Sequence, residues 1–274
     1  MTALGGTVVL KAKTAARAHW AFLSDTHVPE DPANGHRGFL PYRNMQKVVP
    51  QVMKTAPEGA LITGDAARLQ GLPGDYRNLK KFLDPLARKM PVAVALGNHD
   101  DRRNFLAAFT ENPGEHPAIK NKFVSVIEAG PVRFILLDSL MRANFVPGLL
   151  GKAQRTWLDA YLASAAPRPT LLFVHHTLDD GDGSLLDVER MFRIIKPRRM
   201  VKAVVYGHSH RYHFDTWEGI QLVNIPAVGY NFKDSEPVGW VEATVTAEGA
   251  DFRLHAIGGN TAGDGKTTSV AWRS

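Results

Sequence analysis

Residues 91–100 read Pro-Val-Ala-Val-Ala-Leu-Gly-Asn-His-Asp (PVAVALGNHD), a short apolar run that stops on a glycine and three polar side chains. Pro91 to Leu96 suits a buried strand, and Gly97-Asn98-His99-Asp100 suits a loop at its carboxyl end. Asn98 offers a neutral oxygen ligand, which would limit the negative charge of a metal site. His99 beside it would face a substrate rather than an ion, where it can stabilise negative charge or protonate a leaving oxygen. Asp100 is placed to orient or charge-stabilise that imidazole. The plain alternative is a type I turn capped by Asn and Asp.

Four more polar motifs close apolar runs in the same way. His19 to Ser24 (HWAFLS) leads into Asp25-Thr26-His27, and Gly59 to Thr63 (GALIT) into Gly64-Asp65. Thr170 to Val174 (TLLFV) leads into His175-His176, and Val201 to Tyr206 (VKAVVY) into Gly207-His208-Ser209-His210. At an extended strand end, positions i and i+2 point the same way, so Asp25 and His27 can bind one ion, and the same spacing puts His208 and His210 on one side. Asp65 has two oxygens and so could bridge two ions, although Gly64-Asp65 considered alone reads by default as a simple turn. Neighbouring side chains diverge, so only one of His175 and His176 is expected to ligate.

Between these motifs the spacing predicts helices over Arg43 to Thr55, Tyr76 to Leu86, Arg102 to Phe109, Gln154 to Ala163 and Ser184 to Ile195. Lys122 to Glu128 and Val132 to Asp138 read as adjacent strands around the turn cluster Ala129-Gly130-Pro131. The alternation before Tyr206 implies a parallel or mixed sheet with covering helices. The strands near 123–138 and those after Tyr212 imply a second sheet packed on the first. The Gly/Thr-rich stretch from Gly258 is expected to be mostly irregular. No repeat and no linker divides the chain, so residues 1–274 read as one domain with a core from about Ala18 to Ile257.

Composition narrows the chemistry. With 44% hydrophobic and 22% charged residues this is an ordinary globular chain, and 33 basic against 27 acidic residues give +6. That balance fits an anionic substrate. There is no cysteine, which excludes disulfides, thiolate zinc sites and thiol nucleophiles. The densest basic cluster, Lys196-Pro197-Arg198-Arg199, is broken by proline and reads as a solvated helix end, so a nucleic-acid partner is not expected. Thr7 to Leu10 is too short for a signal peptide, and no apolar run approaches the roughly 18 residues of a membrane span. A cytoplasmic chain without a membrane partner is expected, and a homodimer is left open.

Taken in order, D-x-H, GD, GNHD, H and GH-x-H resemble the calcineurin-like metallophosphoesterases over roughly residues 20–230. Within that superfamily the chain looks most like the bacterial class III cyclic-nucleotide and glycerophosphodiester phosphodiesterases. The features are Ser24-Asp25-Thr26-His27, Gly97-Asn98-His99-Asp100-Asp101-Arg102, and Leu136-Leu137-Asp138-Ser139 followed by Gln154 and Trp157-Leu158. The resemblance implies an α/β fold, a four-layer αββα sandwich of two mixed sheets flanked by helices. It implies two metal ions, iron, manganese, zinc or cobalt, one held by Asp25, His27, Asp65 and His210. The other would take Asp65 as a bridge with Asn98, His175 and His208, and His99 would face the substrate.

The implied activity is hydrolysis of a phosphodiester or small phosphomonoester by attack of a metal-bridging hydroxide. The alternatives are an inactive scaffold of the same fold, or a phosphatase acting on a protein or nucleic acid. The chain departs from the common pattern at Ala66-Ala67-Arg68, where relatives often carry an acidic residue, and at Thr177, where proline is frequent. The long loop from Val28 to Pro41 holds Arg37, a candidate phosphate contact. Tyr230, Asn231 and His213 lie near the last motif.

Overall fold

The computed structural model describes residues 16–274, so the Thr7 to Leu10 stretch lies outside the described residues. In chain order the elements are β1 (Ala18–Leu23), α1 (Pro41–Thr55), β2 (Gly59–Ile62), α2 (Pro73–Ala87), β3 (Val92–Val94) and α3 (Arg102–Ala108). The middle of the chain forms β4 (Ser125–Ala129), β5 (Val132–Leu136), α4 (Gly151–Ser164), β6 (Thr170–Phe173), α5 (Val188–Ile195) and β7 (Val201–Tyr206). Five strands follow: β8 (His213–Trp217), β9 (Ile220–Asn224), β10 (Pro237–Val245), β11 (Gly249–Gly259) and β12 (Thr267–Ala271).

Two mixed six-stranded sheets result, ordered β12-β11-β10-β1-β2-β3 and β4-β5-β6-β7-β9-β8. In the first, β1, β2 and β3 are parallel and β10 returns antiparallel to β1. In the second, β5, β6, β7 and β9 are parallel, with β4 and β8 antiparallel at the edges. Most side chains of the central strands are buried because both faces of each sheet are covered. In β1, Trp20 and Phe22 face the other sheet, whereas Ala21 and Leu23 face the helices. In β6, Leu171 and Phe173 point to the seam between the sheets, and Leu172 points to the helical layer on the other side. Trp20, Phe22, Phe134 and Phe173 meet edge-to-face across the seam with centroids 5.0–5.7 Å apart. Helices α1, α2 and α3 cover the first sheet, and α4 and α5 the second, which makes the four αββα layers.

Strands divide between the sheets differently from the sequence reading. β6 and β7 join β4 and β5 rather than β1–β3, and β10–β12 extend the first sheet. Hydrophobic runs buried on both faces look alike wherever they belong, so pattern alone does not assign them. The tail is also more regular than expected: β12 pairs with β11, Asp251 opposite Ser269, and Trp272 packs against the inter-sheet core. Helix α5 begins at Val188 rather than Ser184, because the Asp187 carboxylate accepts from the Leu150 and Gly151 amides at 2.9 and 3.0 Å and ties this segment to the start of α4. Pro50 lies on the exposed side of α1 and does not interrupt it. On the first sheet, Glu242 of β10 joins His19 of β1 and His255 of β11, both at 2.8 Å. No described helix is long and apolar enough to cross a membrane.

Candidate metal centre

The five motifs converge beyond the carboxyl ends of β1, β2, β3, β6 and β7, where open α/β sheets place their ligands. Asp25, His27, Asp65, Asn98, His175 and His210 are all buried there. The loops continue the strand pairing: the Asp25 amide donates to Gly64 O at 3.0 Å, and the His27 amide to Asp65 O at 2.9 Å. Their backbone is not extended. Asp25, His27, Asp65, His208 and His210 have φ between 45° and 67°, the left-handed region that non-glycine residues seldom occupy. Asp25 and His27 therefore converge through turned backbones, not a continuing strand as the spacing suggested, and His208 and His210 part company, each in a different group of donors. Strain at one site in five candidate ligands marks it as functional.

Gly97 and Gly64 admit the approach of the loops. Gly64 has φ of 131°, and a Cβ there would lie 2.7 Å from His175 Nδ1. A Cβ on Gly97 would collide with the Asp65 carboxylate.

Both carboxylates are anchored by one oxygen. Asp25 Oδ2 accepts from the His208 amide at 3.1 Å and from the Ser24 hydroxyl, and Asp65 Oδ1 accepts from the His99 amide at 2.8 Å. Their other oxygens face inward. Asp25 Oδ1 lies 3.2 Å from His210 Nε2 and 3.8 Å from His175 Nε2. Asp65 Oδ2 lies 3.3 Å from His175 Nε2 and 3.8 Å from His27 Nε2, between the two groups of donors.

Three imidazoles are oriented from behind by backbone carbonyls: His27 Nδ1 by Arg68 O, His210 Nδ1 by Tyr230 O and His208 Nε2 by Gly183 O, at 3.2, 2.6 and 3.0 Å. Such contacts fix which nitrogen presents a lone pair. Burial pushes His27 down to about 3 and His208 to about 4, so both are neutral near pH 7, as ligation requires. Burial would also depress His175, but Asp65 and Asp25 outweigh it and raise its pKa to about 9. The carboxylate pair thus draws positive charge to its centre.

Asp25 Oδ1, Asn98 Oδ1 and both nitrogens of His175 are buried without hydrogen-bond partners. Orphaned buried polar atoms cost about 1–3 kcal/mol each. Two sets of donors lie close enough to hold an ion each, Asp25 with His27 and His210, and Asp65 with His175 and His208. Orphaned oxygens and nitrogens within a thiol-free set of imidazoles and carboxylates fit cations well.

His176 is not among them. Its Nδ1 meets Ser139 Oγ at 2.7 Å and its Nε2 meets Val146 O at 3.0 Å, so both nitrogens are used. His99 gives Nδ1 to Leu69 O at 2.9 Å and keeps Nε2 3.9 Å from Asp65 Oδ2, with 17% of its side chain exposed. Beside it a cavity of about 290 Å³ is lined by Arg68, Leu69 and Leu72.

Asp100 does not orient His99, contrary to the sequence reading, since Leu69 O holds the ring instead. The Asp100 carboxylate accepts from the Gly97, Ala66 and Ala67 amides at 2.9, 3.2 and 3.1 Å and from the Tyr76 hydroxyl at 3.0 Å. It clamps the loops after β2 and β3 to one another. Asp138 and Gln154 are likewise braces: Arg102 grips Asp138 with two nitrogens at 2.8 and 2.9 Å, and Gln154 bonds the Asp138 backbone. Arg37 is engaged by Asp234 at 2.8 Å, and His213 is exposed at the start of β8. Tyr230 stacks on His27 with centroids 4.8 Å apart. Phe232, which the sequence reading did not single out, stacks on His210 at 4.1 Å. An aromatic two residues past Tyr230 was the available signal.

Residues 19–212 match the model of the calcineurin-like phosphoesterase family. The chain belongs to that family. Its members are hydrolases, and the two His/Asp clusters accord with the two metal ions the family generally uses. The chain is similar to a probable cyclic nucleotide phosphodiesterase of Vesicomyosocius okutanii subsp. Calyptogena okutanii, 24% identical over 225 residues that span 80% of this chain and 89% of the relative. It is also similar to the glycerophosphodiester phosphodiesterase GpdQ of Enterobacter lignolyticus, 24% identical over 232 residues, 79% of this chain and 81% of the relative. A dimetal phosphatase from Danio rerio shares the fold, with a TM-score of 0.72 at 13% identity over 93% of this chain and 99% of its own.

Proposed function

We propose that this chain is a two-metal phosphodiesterase that hydrolyses a small phosphodiester of the cyclic-nucleotide or glycerophosphodiester kind, or a small phosphomonoester. The observation that carries this reading is the pair of inward oxygens, Asp25 Oδ1 and Asp65 Oδ2, each anchored behind and facing His175 in front. Asp25, His27, Asp65 and His210 would hold one ion; Asp65, Asn98, His175 and His208 would hold the other. Iron, manganese, zinc or cobalt suits these nitrogen and oxygen donors. When bound, the two ions neutralise phosphate charge and lower the pKa of water.

The chain's own residues do the rest. His99 is the partly exposed imidazole, and with Nδ1 held by Leu69 O the atom that exchanges a proton with the substrate is Nε2. Asp100 positions both loops and makes no contact with the reacting atoms. The names of the two similar phosphodiesterases support the diester as substrate. An inactive scaffold would not need the full set of donors, and here every position is filled.

The test is metal-reconstituted protein assayed on bis(p-nitrophenyl) phosphate and on p-nitrophenyl phosphate. Turnover of the diester is expected. Hydrolysis of neither, with two ions per chain measured, would overturn the enzymatic reading in favour of the scaffold.

A further inference from the structure

Among the described residues Phe232 is one of seven large apolar side chains left in the open. Its ring lies nearly parallel to His210, 15° between planes, yet 48% of the residue is exposed. With one face on His210, what remains open is the opposite face and edge. That side borders a cavity of about 360 Å³ whose lining also includes His208, Thr177, Ser209, Arg211 and Gly183. Across Gly183 stands Val146, 51% exposed; a Cβ on Gly183 would lie 3.0 Å from Val146 Cγ1 and 3.9 Å from His208 Nε2. The cavity thus runs from a proposed metal ligand outward past Phe232, and Val146 stands on a different loop beside Gly183 at its edge. Exposed apolar groups gathered at a cleft mark a contact surface for a ligand.

We propose that this cavity receives one ester group of the substrate and that Phe232 selects a planar aromatic group there. The proposal rests on the phosphodiesterase reading, which places the phosphorus among the ligands and so puts an ester oxygen within reach of His208. A flat ring already stacked on one side offers its other face to a second flat ring, and aromatic pairs gain beyond the area they bury. Arg211 and Lys233 line it together with the carboxylates of Asp179 and Glu236, which suits an aromatic group carrying both donors and acceptors rather than a bare hydrocarbon. A small polyol would leave the Phe232 face uncovered.

Two non-hydrolysable probes separate this from the catalytic reading. Phenylphosphonate and ethylphosphonate present the same charged head and differ in the group that would enter the cavity. Calorimetric titration of the metal-loaded protein should find phenylphosphonate tighter by about tenfold. Phe232→Leu should cut that ratio to about twofold and Phe232→Tyr should keep it, in line with the usual strength of aromatic pairing. Metal content is measured on each variant, since Phe232 also covers His210. Should Phe232→Leu lose metal, Val146→Phe enlarges the side chain beside Gly183 at the cavity's edge, away from His210, and should weaken phenylphosphonate at least fivefold relative to ethylphosphonate. An unchanged ratio in the metal-loaded variant overturns the proposal, as does failure of the wild type to bind either probe. A Phe232-dependent ratio in a protein that hydrolyses no diester would instead overturn the catalytic reading and leave the cavity's preference standing.

Discussion

His27 Nε2 and His210 Nε2 face one another at 3.2 Å, and each ring commits its other nitrogen to a backbone carbonyl. Two lone pairs at that distance repel unless a cation lies between or beside them. Metal removal should therefore weaken the fold as well as the activity. Binding at a hundredfold above Kd contributes about 2.7 kcal/mol, so exhaustive chelation should lower Tm by about 5 °C or more. Differential scanning calorimetry with and without restored manganese or zinc checks this, and an unchanged Tm would count against ligation by this pair.

Asn98 and His99 should separate cleanly. Asn98→Ala removes an orphaned buried oxygen that only a ligand would satisfy, and should weaken one ion at least about tenfold, the size of loss a missing contact of about 1.4 kcal/mol gives. His99→Ala should keep both ions while kcat falls by about 10²–10⁴, the usual contribution of a positioned acid or base. Metal analysis of the two variants decides; loss of both ions in His99→Ala would refute its substrate-facing role.

Asp100 is predicted to act through structure. Burial, and then the charge of Asp65, raise its carboxyl to about 6, while three amides and Tyr76 hold it in place. Asp100→Asn turns an amide group toward those donors and should cost about 2–4 kcal/mol, with metal affinity falling alongside stability. Tyr76→Phe removes the bond donated to Asp100 and the one accepted from the Asp101 amide, and should cost about 1–3 kcal/mol with kcat nearly intact. Urea denaturation measured beside kinetics would expose a chemical role if Asp100→Asn lost turnover at full stability.

Glu242 gives a pH signature far from the centre. Burial alone would raise its pKa, but hydrogen bonds from His255 and His19 hold it below the ordinary value. A depressed carboxylate stabilises the fold above its unfolded pKa of about 4.3, and that stabilisation is lost as pH falls through the folded value. Wild type should exceed Glu242→Gln by about 1 kcal/mol near pH 6, since solvent screens this partly exposed site, and the gap should close in acid. Paired urea titrations across that range test the sign.

What could be read from the chain was what depends on short contiguous runs. Each motif ended an apolar strand, and all five meet where that reading placed them. What escaped it depends on partners distant in sequence. Asp100 looked like a neighbour of His99 because they are adjacent, but its acceptors are filled by Ala66, Ala67 and Tyr76, none of which carries a signal for it. The choice between His175 and His176 turns on Ser139 and on the Val146 carbonyl, and no spacing rule encodes either. β12 was missed because an edge strand with one wet face and threonine-rich composition reads like a loop until β11 is beside it.

The candidate ligands reach the centre from both sides of the seam: Asp25, His27, Asp65 and Asn98 from loops of one sheet, His175, His208 and His210 from loops of the other. Ions held there would rivet the sandwich shut at one end. The edge-to-face rings of Trp20, Phe22, Phe134 and Phe173 then serve as a spacer that sets how far apart the two halves of the rivet stand. A change of ring size deep in the seam would shift the two sheets, and with them the two groups of donors, against one another.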